Sequence, residues 1–227
     1  MISCTYFRRK IVQMSKRFLF ILAAIVIVFG GLLVFNKRET NTPTENGGKE
    51  TAELTQHKLE GSSGVVLIEY GDFQCPSCGQ YHPLLKELKQ KYKGKVTFQF
   101  RHYPLVEIHQ NALVSARAAE AAAMQGKFWE MHDMLFENQT SWSDSTNPTP
   151  IFEGYAEKLG LDMDKFRTDI KSEQTNDIVQ ADRAEARRLG YQSTPTFELN
   201  GQKIDNPASL DAFTKLLDDA IKQKQNQ

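Results

Sequence analysis

Three kinds of hydrophobic patterning follow one another along the chain. Phe18 to Phe35 is a run of 18 uncharged residues, 14 of them Leu, Ile, Val or Phe. As a helix it would rise about 27 Å, close to a hydrocarbon core of roughly 30 Å. At about −0.3 to −0.6 kcal/mol for each of those residues, insertion would be favoured by roughly 4 to 8 kcal/mol. The run therefore predicts one N-terminal transmembrane helix over 18–35. It exceeds the apolar stretch of an ordinary secretory signal and ends in Asn36-Lys37-Arg38 with no small-residue cleavage site, so an uncleaved anchor is expected. The following Glu39 to Thr55 is polar and poor in large apolar residues, and 36–57 is read as a flexible linker.

Beyond residue 58 the pattern is that of a folded α/β domain, 58–227. Val65 to Tyr70 is a short apolar run and Val96 to Arg101 alternates, which predicts two strands. Between them Cys75 to Tyr92 reads as a helix with Leu84, Leu85 and Leu88 on one face, interrupted by Pro83 and closed at Lys93-Gly94. Helical periodicity then holds over about 105–190. Asn111 to Gln125 is alanine-rich, and Phe128, Met131, His132, Leu135 and Phe136 form an apolar stripe in which His132 is expected to pack. Trp129 and Trp142 are expected to anchor core or loop. Gln139 to Pro150 reads as a loop, and further helices are predicted over Ile151 to Leu159, Met163 to Ile170 and Asn176 to Leu189, with Gly160 and Gly190 at two C-termini. Thr196 to Leu199, Asn200-Gly201 and Gln202 to Ile204 predict a hairpin, and Ser209 to Lys222 a last amphipathic helix. The order is βαβ, a helical block, then ββα.

Charge adds a direction. Residues 1–38 hold 7 of the 28 Lys and Arg and no acid, which leaves 39–227 at net −7. That excess of acid argues against nucleic acid as a partner. Arg8, Arg9, Lys10, Lys16 and Arg17 precede the apolar run and only Lys37 and Arg38 follow it. The positive-inside rule then makes 1–17 a cytoplasmic basic segment and places the domain outside the cytoplasm, on a single-pass cell-membrane anchor. Met14 is a second plausible start, and translation from it would leave the protein without Cys4.

The candidate chemistry sits where the first strand gives way to the first long helix, at Cys75-Pro76-Ser77-Cys78. The first N–H groups of a helix lack intrahelical partners and favour negative charge, so Cys75 stands where a thiolate is stabilised. Cys78, three residues on, can reach it to close a disulfide. A structural zinc site would need four ligands, and His57, His82, His102, His109 and His132 offer no H-x3-5-H pair, so no metal is expected. A structural staple is disfavoured because a two-residue loop constrains little chain entropy. In an oxidising compartment a lone, closely spaced pair points to a redox-active dithiol acting on other proteins.

These residues, with Glu69 to Cys78 read as one stretch and Ser193-Thr194-Pro195-Thr196-Phe197 later, resemble the thioredoxin-fold disulfide oxidoreductases of the DsbA type from about residue 58 to the end. Phe100 to Leu105 and Phe128 to Asp133 share the likeness. The resemblance implies a thioredoxin-like fold with an all-helical insertion, Cys75 as the attacking and Cys78 as the resolving cysteine, and no cofactor. It implies a cis Thr194-Pro195 bond facing the dithiol to receive substrate, and Glu69 as a buried acid beneath Cys78 that acts in catalysis. His102 is a candidate modulator. The partners implied are extracytoplasmic proteins with free thiols and a membrane redox partner that reoxidises the dithiol, with the protein itself a monomer. Family oxidases often carry histidine between the cysteines, and here the dipeptide is Pro76-Ser77. Oxidase is the expected direction, with reductase, isomerase or a non-redox peptide-binding module as alternatives.

Overall fold

The computed structural model describes residues 53–226. The expected cytoplasmic segment, the membrane span over Phe18–Phe35 and the tether as far as residue 52 lie outside the described residues. Among those described, no helix is long and apolar enough to cross a membrane. The elements in order are β1 (His57–Leu59), β2 (Val66–Gly71), α1 (Pro76–Lys91), β3 (Thr97–His102), α2 (Ala112–Ala123), α3 (Phe128–Glu137), α4 (Gln139–Trp142), α5 (Thr149–Lys158), α6 (Met163–Asp169), α7 (Glu173–Arg188), β4 (Thr196–Leu199), β5 (Gln202–Ile204) and α8 (Leu210–Gln225).

The strands form one sheet in the order β1-β3-β2-β4-β5. β2 and β3 are parallel, with Val66 opposite Thr97 and Gly71 opposite His102. β4 runs antiparallel to β2, with Tyr70 opposite Thr196. At the β4–β5 turn Asn200 and Gly201 have φ of 52° and 78°, the left-handed pair that a two-residue hairpin of this twist requires. One face of the sheet carries Leu67, Phe98 and Phe197, packed with Leu85 and Leu88 of α1 and Phe213, Leu217 and Ile221 of α8. On the other face Tyr70 packs with Tyr103, Ala186 of α7 and Tyr191. The helical block closes around a further core of Ala-rich α2, Met131, Leu135, Trp142, Phe152 and Phe166, which reaches Phe73 and both cysteines.

Several sequence expectations change. The folded domain begins earlier than expected: Thr55 is buried and donates its backbone N–H to Asp182 at 3.0 Å, and His57 opens β1 opposite Phe100. Every residue of β3 is buried, so its alternating sequence marks two covered faces and not one wet face. The expected loop from Gln139 begins with the short α4, held because Trp142 is fully buried and gives its indole N–H to the Leu135 carbonyl at 2.9 Å. α7 starts three residues before Asn176 because Ser172 caps it, accepting from the Thr175 N–H. In α1 the buried positions are Cys78, His82, Leu85 and Leu88. Leu84 is only half-buried, since the face turned inward is the one that carries the second cysteine.

Candidate active site

Cys75 is the N-cap of α1 and Pro76 its first residue, where a missing N–H costs nothing. The turn before it is fixed by Asp72, whose buried carboxylate accepts from the N–H of Gln74 at 2.8 Å and of Leu105 at 2.9 Å and pairs with His109 Nδ1 at 2.6 Å. The Asp72 carbonyl accepts the Cys75 N–H at 3.1 Å. From the helical block, Gln139 reaches in and donates its amide to the carbonyls of Phe73 at 2.7 Å and Cys75 at 2.9 Å. It passes over Gly79, where an added Cβ would lie 2.6 Å from its Oε1. The motif is thus held by groups that are distant in sequence.

Both cysteines are free, with Cys75 6% exposed and Cys78 fully buried. The Thr194–Pro195 bond is cis, and the Thr194 carbonyl accepts from Cys75 Sγ at 3.3 Å. The two thiols have opposite acidities. A hydrogen bond from the Cys78 thiol is the largest influence lowering Cys75 to a pKa of about 6; burial opposes it, and the Thr194 side chain and the N–H groups of Cys78 and Ser77 add to it. Burial above all, then the neighbouring Cys75 and Glu69, raises Cys78 well above the ordinary thiol range.

Glu69 lies beneath the pair on β2. Burial raises it to a pKa of about 7, the ammonium of Lys89 opposing and the charge of Cys75 adding. Its Oε1 has no hydrogen-bond partner, and it lines a small cavity together with Lys89 and Trp129. Lys89 Nζ stands 4.5 Å from the centre of the Trp129 ring. The structure therefore brings together Cys75, Cys78, Glu69, Thr194 and Pro195. His102 instead gives its Nε2 to Glu120 at 2.6 Å and packs on Phe73. Sequence reasoning did not find Lys89, Asp72, His109 or Gln139. Lys89 could have been found, because it falls fourteen residues after Cys75, close to four helical turns on and so on the inward face; nothing local marks Gln139.

A family model described as Thioredoxin matches residues 60–219. Among curated relatives, "Na(+)/H(+) antiporter NhaA 3" of Salinispora tropica is 39% identical over 150 residues, which are 66% of this chain and 22% of that protein. "Na(+)/H(+) antiporter NhaA 1" of Mycolicibacterium vanbaalenii is 31% identical over 87% of this chain and 33% of its own length. The chain thus spans a fifth to a third of the length of these relatives. Among solved structures, a variant of Wolbachia pipientis alpha-DsbA1 is 25% identical with a TM-score of 0.66, covering 76% of this chain and 94% of that one. Oxidised BdbD of Bacillus subtilis is 24% identical with a TM-score of 0.64, covering 73% and 92%. A free cysteine pair of unequal acidity at the head of α1, in a chain that the family model matches over residues 60–219, places this protein in the thioredoxin family.

Proposed function

We propose that the protein is a membrane-anchored, extracytoplasmic oxidase that introduces disulfides into other proteins. The opposite displacement of its two thiols carries this reading. In the disulfide form a substrate thiolate attacks Cys75 Sγ, the one with access; the S–S bond breaks and its electron pair leaves on Cys78. Cys78 is a poor thiolate in this environment and takes a proton, for which Glu69, with a pKa of about 7, is the adjacent source. A second substrate thiolate then attacks the substrate sulfur of the mixed disulfide and releases Cys75 as a thiolate. The substrate leaves oxidised and the dithiol holds the two electrons, which a membrane redox partner removes. The Thr194 backbone beside Cys75 offers an edge for an extended substrate segment, and one dithiol on a monomer suffices for this reaction.

Direction follows from arithmetic. At pH 7 a thiol of pKa about 6 in place of about 8.5 stabilises the reduced form by about 1.4 kcal/mol, or about 30 mV. The couple is therefore expected above that of an unperturbed dithiol, between the about −270 mV of thioredoxin and the about −120 mV of DsbA. Equilibration of Cys75/Cys78 with glutathione measures it, and a value at or below that of thioredoxin would overturn the oxidase reading. Pro76-Ser77, which places no imidazole between the cysteines, favours the second reading, a reductase. The location rests on the basic residues crowded before the Phe18–Phe35 run. A thiol reagent that cannot cross membranes should label reduced Cys75 in intact cells, and labelling only after permeabilisation would place the domain inside.

A further inference from the structure

α1 and α3 pack against each other, and their facing sides bring His82 and His132 together with ring centres 5.5 Å apart. His82 is 5% exposed and His132 1% exposed. Both ring nitrogens of His82 and Nε2 of His132 are buried with no hydrogen-bond partner, an arrangement folded chains rarely leave unanswered. His132 Nδ1 lies 2.9 Å from Asp133 Oδ1, and His82 Nε2 lies 3.9 Å from that same oxygen and 4.0 Å from Glu137 Oε1. One donor atom from each of His82, His132 and Asp133 lies within 4.8 Å of the others. Ligands bonded tetrahedrally at about 2.0 to 2.2 Å stand about 3.3 Å apart. The two distances from Asp133 Oδ1, 2.9 Å to His132 and 3.9 Å to His82, lie on either side of that spacing.

The other histidine–carboxylate group is built differently. His57 and His102 each turn Nε2 to one oxygen of Glu120, at 2.5 and 2.6 Å, which is hydrogen-bond spacing with both Nε2 atoms satisfied, and only Nδ1 of His102 is buried there without a partner. At His82 the nitrogens are buried and unsatisfied while the carboxylates of Asp133 and Glu137 are 34% and 45% exposed, so the donor set has an apolar floor and an open mouth. Phe136 stacks on His82 with ring centres 5.2 Å apart, and Phe73 and Phe100 close around His132. Lys86, bonded to Glu137, flanks the mouth.

We propose that His82, His132 and Asp133 form a site for a divalent first-row cation of the zinc class, bridging α1 and α3, with the fourth position taken by water or Glu137. Two neutral imidazoles and a carboxylate suit that ion. His82 is one turn past Cys78, so the ion would pin the stretch of α1 that carries the second cysteine to the helical block. The site stands whether the dithiol oxidises or reduces its substrates.

The test uses the full chain in its oxidised form and with Cys4→Ser, so that no cysteine offers a thiolate. Titration with Zn2+ followed by calorimetry should give one equivalent bound with micromolar or tighter affinity, and a Zn2+-dependent rise in Tm. His82→Gln and Asp133→Asn should each weaken binding ten-fold or more, and His57→Gln should leave it unchanged; circular dichroism confirms that each variant is folded. Co2+ should give visible bands without the intense thiolate charge transfer. No binding by the oxidised chain, equal affinity in the folded His82 and Asp133 variants, or loss of binding on His57→Gln would overturn the proposal.

Discussion

Replacing Cys78 with Ala removes the thiol whose hydrogen bond most lowers the pKa of Cys75, and leaves one titrating cysteine in the domain. A hydrogen bond to a charged group is worth about 1.5 to 3 kcal/mol. A sulfur donor falls at the weak end, so the loss corresponds to about one pKa unit at 1.36 kcal/mol per unit. The N–H groups of the first turn and Thr194 remain, so Cys75 should move from about 6 to about 7 and not to the free-thiol range. Cys78→Ser keeps an O–H donor at the same place and should hold Cys75 within about half a unit of the parent. The assay is the ultraviolet absorbance of the thiolate against pH, checked by alkylation rates, which at pH 6.5 should fall about threefold in the Ala variant relative to Ser. If the Ala and Ser variants titrate together near 6, the thiolate is held by the helix terminus alone and the assignment of Cys78 as its main support is wrong.

The same thiolate makes stability depend on pH. The folded pKa of Cys75 is depressed to about 6, so its contribution to the reduced form is present toward the unfolded value near 8.5 and is lost as pH falls through 6. Denaturant midpoints should show the reduced form gaining on the oxidised form by about 1.4 kcal/mol from pH 5 to 7, and a flat difference would refute this. Glu69 has the opposite sign: raised to about 7 from 4.5, it stabilises the fold less as pH rises through that window. Glu69→Gln should therefore unfold at higher temperature than the parent at pH 8 and slow the release of Cys78; no change in either would remove Glu69 from the mechanism. Gly79→Ala puts a methyl against Gln139; loss of two hydrogen bonds at about 1 kcal/mol each, less the helix preference of Ala, should destabilise the domain by about 1 kcal/mol, and Gln139→Ala, without that gain, by about 2 kcal/mol. An unchanged urea midpoint in both would show that the clamp holds nothing.

What the sequence determined by itself was whatever depends on near neighbours. The Asn200-Gly201 hairpin, the helix opening at Pro76, the amphipathic α8 and the nearness of Cys75 to Cys78 all follow from periods and turns within a few residues, because backbone sterics and one-sided burial act at that range. The Ser-Thr-Pro stretch marked the facing loop only through a resemblance, since the contact between Thr194 and Cys75 spans 119 residues. Tertiary structure decided the rest. It drew Thr55 out of the expected tether because Asp182, far along the chain, had backbone and side-chain donors to satisfy. It turned the expected loop at Gln139 into a short helix that clamps the motif, because Trp142 had a core to fill. It gave Glu69 and the two cysteines their unequal acidities, since desolvation and the placing of Lys89 exist only once α1 lies on the sheet. And it set His82 beside His132, residues of two different helices whose spacing in the chain carries no signal, because packing brings side chains together by face and not by number.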